Sequence, residues 1–212
     1  MKTVMGGEPL VDLETMIRGA AFRLLVTNAK PITPESLTAV TGIKGDRLDT
    51  LLDDLDRAGR IRRDEAGRVV GSAGLSVVPD RHEIEIEGRR FWTWCAYDIL
   101  GIFGALHTSG SASSPIPGTR DVIQLDFIEG RPQKSNAVLF RPDTELMSCC
   151  ENVYEEWCPN SNLFVNRASA RKWATEHSLQ GRVLTLSEAA DLATEAWKSL
   201  TSGGGVDLDS KP

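Results

Sequence analysis

Residues 89–106 read RRFWTWCAYDILGIFGAL, a long and mostly apolar run whose placement decides how the rest of the chain packs. It is longer than an ordinary strand, so it is expected as one buried helix. On that helix Cys95 and Asp98 stand three positions apart and share a face. Phe91, Trp92, Trp94, Tyr97 and Phe103 surround them with aromatic, low-dielectric surface. Burial raises a carboxyl pKa, which lets Asp98 hold and deliver a proton near neutrality. A thiol beside such a carboxyl suits a soft electrophile. The same spacing also fits a small buried cysteine next to an unrelated aspartate, and spacing alone leaves both open.

Upstream of this run, RHEIEIE (81–87) alternates with Ile84 and Ile86 on one face, the pattern of a half-buried strand. Residues 10–30 place Leu13, Ile17, Ala20, Ala21, Leu24 and Leu25 at helical spacing. Thr33 is expected as an N-cap, with Pro34 at the first helical position and Glu35 in the first turn of a helix over 34–41. A third helix over 45–59 carries the stripe Leu48, Leu51, Leu52, Leu55 and is closed by Gly59. Strands are expected at 60–63 and 68–78 around the turn 64–67. Three helices and a hairpin make a winged-helix-like N-terminal domain over 1–80. Its third helix carries Asp46, Asp49, Asp53, Asp54 and Asp56 against Arg47 and Arg57. That acidic face repels phosphate, so the unit is expected as a structural cap and not as a DNA reader.

Downstream, HTSGSASSPIPG (107–118) is a loop by composition. Strands follow at 120–127 and 136–140, separated by the turn 129–132. A strand at 162–166, a helix at 168–177 and a strand at 182–186 come next, and Ser187 caps a last helix that runs to about residue 200. Residues 203–212 are expected as a flexible tail. The fold class is therefore α+β: the N-terminal helical domain, then a catalytic domain over 81–202 built on a small mixed or antiparallel sheet flanked by helices.

The chain has 212 residues, 41% hydrophobic and 25% charged, with a formal charge of −6. No global positive field exists to collect nucleic acid or anionic membrane. The start, MKTVMGGEPLVDLETM, holds no apolar run, so no secretory signal is expected. No stretch reaches the roughly 18 apolar residues of a membrane span. A cytoplasmic location follows as the expectation. The four cysteines, Cys95, Cys149, Cys150 and Cys158, are then free thiols and not disulfides, because the chain is large enough to need no staples. There is no Gly-rich phosphate loop, no His-rich zinc motif and no G-x-S-x-G elbow. Zinc on Cys149, Cys150 and Cys158 would need adjacent ligands and lacks a C-x₂₋₄-C pair.

The run 89–106 resembles the organomercurial (alkylmercury) lyases, whose first catalytic cysteine sits in an Arg-aromatic-x-x-Trp-Cys-Ala-x-Asp segment. The resemblance carries that cysteine onto Cys95 and the catalytic aspartate onto Asp98. WCPNSNLFVNRASARKWATEH (157–177) is similar to the family's second-cysteine segment and places the second catalytic cysteine at Cys158. The implied reaction is protonolysis of R–Hg⁺ to R–H and Hg²⁺. Cys95 and Cys158 would ligate mercury, a soft ion that prefers thiolate, with Asp98 at the metal as base and then acid. No cofactor is implied; cellular thiols, and a mercuric reductase that takes the product, are the implied partners beside the organomercurial itself. Trp92, Trp94 and Phe103 would shape a pocket for methyl, ethyl or phenyl groups. Two departures stand out: the loop 107–118 lacks the family's further cysteine, and Pro159 and Asn160 follow Cys158. Cys149 and Cys150 have no family counterpart and are set aside as accessory mercury-capturing candidates. Two other readings use the same residues: a non-enzymatic thiol metal-binding protein or biosynthetic offshoot, and a metal-responsive DNA-binding regulator, which the acidic third helix disfavours.

Overall fold

A computed structural model describes residues 12–201; the expected tail at 203–212 and most of the N-terminal stretch lie outside the described residues. Helices α1 (Leu13–Asn28), α2 (Pro34–Thr41) and α3 (Asp46–Arg57) fall where periodicity places them. The Thr33 side chain caps α2 by accepting from the Ser36 N–H at 3.4 Å. Strands β1 (Ile61–Arg63) and β2 (Val69–Ser72) follow. The strand expected over 68–78 is broken: Ala73 and Gly74 both take positive φ, 51° and 84°, and the chain turns back into β3 (Leu75–Ser76).

The decisive correction concerns 89–106. It is not one helix but a strand, β5 (Arg89–Thr93), followed by helix α4 (Ala96–Leu106). β5 pairs antiparallel with β4 (His82–Ile86) through the two-residue turn Glu87-Gly88, so Ile86 faces Arg89 in register. Both turn residues have positive φ, the requirement of a type I′ hairpin. Phe91 and Thr93 are buried while Arg90 is exposed, a period of two. Cys95 therefore sits at the N-cap of α4 rather than within a helix.

Residues expected as a loop also form a strand. β6 (Gly110–Pro115) lies between β4 and β7 (Val122–Ile128), with Ala112 and Ser114 buried. Its Ser-rich composition hides the pairing, because one partner, β4, lies more than 20 residues upstream. The turn Glu129-Gly130 leads into the short β8 (Arg131–Pro132). One eight-stranded sheet results, in the order β1-β2-β3-β5-β4-β6-β7-β8. It crosses residue 80 without a break, because β3 pairs with β5. A second sheet has β9 (Val138–Pro142) between β10 (Asn162–Phe164) and β11 (Gly181–Thr185). Every pairing in both sheets is antiparallel.

Helices α5 (Thr144–Cys149), α6 (Arg167–Glu176) and α7 (Leu186–Thr201) complete the fold. α7 is not capped by Ser187, which lies inside it. Thr185 and Glu188 form the capping box instead, with the Thr185 N–H and hydroxyl both donating to Glu188 Oε2 at 2.8 Å. α4 and α7 pack closely because Gly101 and Gly104 leave room. A Cβ on Gly101 would stand 2.6 Å from the Trp197 ring, and one on Gly104 would stand 2.0 Å from Thr194 Oγ1. α4 is thus enclosed by α7 and the two sheets, and its N-terminus is the point where the functional side chains meet. Among the described residues no helix is long and apolar enough to cross a membrane.

Candidate active site

Cys95 is completely buried and its N–H donates to Asp98 Oδ2 at 2.9 Å. N-cap and N3 residues thereby form a capping box with cysteine in the place where Ser or Thr is usual. Cys95 and Asp98 do lie side by side, but through a helix start and not a helix interior. Thr93 fixes the approach to it, donating from Oγ1 to the Cys95 carbonyl at 3.0 Å.

Cys158 arrives from another part of the chain. Val153–Trp157 makes one π-helical turn and Cys158–Asn160 a 3₁₀ turn with Pro159 second. The Ser161 carbonyl then accepts from the Ala96 N–H at 3.1 Å, which ties this turn to the first residue of α4. The two sulfurs and a carboxylate oxygen of Asp98 all lie within 4.8 Å of one another. All three residues are buried, and Asp98 is only 5% exposed. Among the described residues this is the one group of at least three Cys, His, Asp or Glu side chains close enough to hold a metal.

The electrostatics follow from burial. Desolvation lifts the Asp98 carboxyl to about 7, against the opposing pull of its hydrogen bonds with Cys95. Desolvation likewise holds the Cys95 thiol well above its ordinary range, reinforced by neighbouring Cys158 and by the Asp98 charge. The α4 N-terminus, where both sit, favours negative charge and so limits the cost of ionising the pair. At neutral pH the resting site holds a protonated Cys95 thiol beside a carboxyl poised near its midpoint.

Asp98 and Cys158 face a cavity of about 260 Å³ whose walls include Trp94, Tyr97, Trp157 and Trp197. Tyr97 meets both Trp157 and Trp197 edge-on, with ring centroids 6.1 and 5.7 Å apart. Of the aromatics expected to shape a pocket, Trp94 does so. Phe103 instead stacks on Phe127 at 3.9 Å in the core, and Trp92, half-buried on β5 opposite Glu83, is not part of the cavity wall. Trp157 and Trp197 are the lining rings that sequence reasoning missed, whereas Tyr97, expected around Cys95 and Asp98, stands in the wall with them. Trp157 had a signal, as the immediate neighbour of Cys158; Trp197 had none short of knowing that α7 covers α4.

Gly74 was also missed. Its backbone lies against Asp98, such that a Cβ would stand 2.2 Å from the carboxyl carbon. The turn that presents it is held by the Trp197 indole N–H donating to the Ala73 carbonyl and the Trp94 N–H donating to the Gly74 carbonyl, both at 3.0 Å. The Ala73-Gly74 dipeptide in an otherwise strand-like run was the available sign of a bend.

Cys149 and Cys150 stay outside the trio. Cys149 is exposed at the end of α5 and Cys150 half-buried just after it. Their thiols turn back onto the carbonyls of Leu146 and Met147, and Met147 lines the cavity. A zinc site on Cys149, Cys150 and Cys158 is not formed among the described residues.

Two buried thiols and a protonatable carboxyl, enclosed by aromatic rings at a helix start, define a protein that handles a soft, thiophilic metal species. The comparisons agree. The alkylmercury lyase family model matches residues 75–198, and the chain belongs to that family. It is similar to the alkylmercury lyase of Staphylococcus epidermidis, at 27% identity over 173 residues that cover 79% of this chain and 76% of that one. The alkylmercury lyase of Pseudomonas putida is 29% identical over 154 residues, covering 70% of this chain and 68% of its own. Among solved structures, the mercury-bound form of MerB2 superposes with a TM-score of 0.78 at 26% identity, covering 88% of this chain and 91% of that one.

Proposed function

We propose that this chain cleaves the carbon–mercury bond of R–Hg⁺ by protonolysis, with Cys95 and Cys158 as mercury ligands and Asp98 as the proton carrier. The observation that carries it is the buried trio, whose three ligand atoms lie within 4.8 Å of one another. Mercury arriving as a thiol adduct meets Cys158 at the cavity wall. The adduct thiol departs with one cysteine proton. Asp98 takes the other proton from Cys95 as the second sulfur binds, so the carboxylate becomes a carboxylic acid beside the metal. Two thiolates push electron density onto carbon, Asp98 delivers its proton there, and R–H leaves. Overall, R–Hg–SR′ and two cysteine thiols give dithiolate-bound Hg²⁺, R–H and R′SH.

No resident cofactor enters this scheme. External thiols withdraw Hg²⁺ and restore the two cysteines, and a mercuric reductase is a suitable acceptor. We read α1–α3 with β1 and β2 as a winged-helix-like unit that has become a wall of the site, contributing Thr15, Arg18 and Arg60 to the cavity. α3 carries Asp46, Asp49, Asp53, Asp54 and Asp56 against Arg47 and Arg57, the latter paired with Asp54, so its face repels phosphate. The protein is expected to work in the cytoplasm, where reducing conditions keep the thiols free.

Phenylmercury incubated with the protein and excess 2-mercaptoethanol should release benzene into the headspace. Stable binding with no benzene would leave the metal-binding reading in place of the lyase.

Gly74→Ala tests the positioning of Asp98. The new methyl combines a left-handed backbone with a collision on the carboxyl, and a misplacement of about 1 Å costs on the order of 10²-fold in rate. We expect hydrocarbon release to fall by that order while mercury binding, followed by mass spectrometry, persists. Unchanged turnover would show that the carboxyl need not sit where Gly74 holds it.

The double variant Cys149→Ser, Cys150→Ser should keep full cleavage in abundant small thiol and slow only when thiol is limiting. Loss of cleavage in abundant thiol would move one of these sulfurs into direct contact with mercury.

A further inference from the structure

Three arginines line the cavity with no carboxylate partner among the described residues. Of the arginines near the same unit, Arg62 is paired with Asp80, Arg63 with Asp53 and Asp56, and Arg68 with Asp64. Arg18, Arg60 and Arg141 also face the site, yet none of them reaches a carboxylate at ion-pair distance among the described residues. Asp12, Glu14 and Asp98 act on Arg18 through space only. The Nε atoms of Arg18 and Arg141 are buried without any hydrogen-bond partner. Arg141 lies over the Tyr97 and Trp157 rings, 5.1 and 5.8 Å from their centroids, and its guanidinium also meets the Tyr97 hydroxyl and the Pro142 carbonyl at 3.5 Å; all of these partners are neutral.

Leaving guanidinium groups half-buried and unpaired is costly, and in a chain of charge −6 it is not a by-product of excess basic residues. The cavity is also large for a simple organic group. A cavity of about 150 Å³ accommodates benzene, whereas this one measures about 260 Å³. There is room for a second component, and its unpaired donors call for an anion. Guanidinium matches carboxylate in a forked geometry.

We propose that the cavity receives R–Hg⁺ as its adduct with a carboxylate-bearing small thiol, whose carboxylate is held by Arg141 together with Arg18 and Arg60. This rests on the lyase reading above and names the form of its substrate. The carboxylate anchors the adduct while Cys158 Sγ bonds to mercury and the bond from mercury to the adduct sulfur breaks. The displaced thiol takes the Cys158 proton and leaves. Arg18 and Arg60 precede the residues that match the family model, so the N-terminal unit supplies part of this selectivity.

The test compares phenylmercury presented to the full chain as its adduct with 3-mercaptopropionate, with the neutral 3-mercaptopropionamide, and with the cationic cysteamine. We expect kcat/KM to favour the carboxylate adduct over the neutral one by about tenfold or more, with cysteamine lowest. Arg141→Gln and Arg60→Gln should each erode the ratio of kcat/KM for the carboxylate adduct over the neutral one, and Arg141→Lys should restore part of that ratio. Equal kcat/KM for all three adducts overturns the proposal. So does a preference that appears only when the carboxylate is on the aryl ring, tested with 4-carboxyphenylmercury and the neutral thiol. Calorimetric binding of the same adducts to the Asp98→Asn protein decides the matter without turnover: a carboxylate preference there sustains the proposal even if no benzene forms, and its absence overturns it.

Discussion

The Cys158→Ser protein should fold, retain R–Hg⁺ on Cys95 and release no hydrocarbon above background. Cys158 Sγ is within 4.8 Å of both the Cys95 sulfur and the Asp98 carboxylate, and serine oxygen is a poor ligand for a soft metal. With one thiolate the carbon is insufficiently electron-rich to accept a proton. If the second thiolate supplies several kcal/mol at the transition state, its loss costs roughly 10³-fold or more. Cys95→Ser should be equally inactive, leaving mercury on Cys158 at the cavity wall. Mass spectrometry of the protein and gas chromatography of the headspace separate retention from cleavage. Normal turnover by Cys158→Ser would remove that residue from the site and leave Cys149 or Cys150 as the second ligand.

Asp98→Asn should have two effects of opposite sign, one on rate and one on stability. The amide still accepts the Cys95 N–H through its oxygen but relays no proton, so cleavage should fall by about 10²- to 10⁴-fold. In the parent protein kcat/KM should rise with pH through about 7, as Asp98 ionises and becomes able to take the thiol proton. Stability runs the other way. A carboxyl that ionises near pH 7 when folded and near 3.9 when unfolded makes the folded state bind more protons between those values. Its stability contribution is therefore lost as pH rises from about 4 to about 7, in all by about 4 kcal/mol. Asp98→Asn removes that penalty. The variant should resist urea better than the parent at pH 8, and the difference should shrink toward pH 4. A variant less stable than the parent at pH 8 would mean that the ionised carboxylate supports the fold rather than straining it.

Much of this was legible in the sequence because the signals were local. The helices at 13–28, 34–41 and 46–57 carry their own apolar periodicity, and Thr33-Pro34 announces its cap. The segment 89–106 was misread because it is apolar throughout, so neither a period of two nor one of 3.6 dominates. Its division lies in Glu87-Gly88 and in Cys95, a residue seldom read as a helix cap. β6 was hidden for a different reason: Ser and Gly signal a loop, while the partners that make it a strand lie 20 or more residues before and some ten after it. The site divides the same way. Cys95 and Asp98 share one motif, but Cys158 joins them through tertiary contacts, the Ser161–Ala96 hydrogen bond and the Tyr97–Trp157 ring pair among them. Gly74, Trp197 and the arginines Arg18, Arg60 and Arg141 come from five separate parts of the chain, and only the fold brings them together.

The central claim is that the buried trio moves a solvent-derived proton onto mercury-bound carbon. A single turnover of phenylmercury in D₂O, with no added thiol beyond that of the adduct, tests it most directly. The account predicts monodeuterated benzene, released in step with protein carrying bare Hg²⁺ on Cys95 and Cys158. Protein carrying intact phenylmercury, with no deuterated benzene in the headspace, would contradict it.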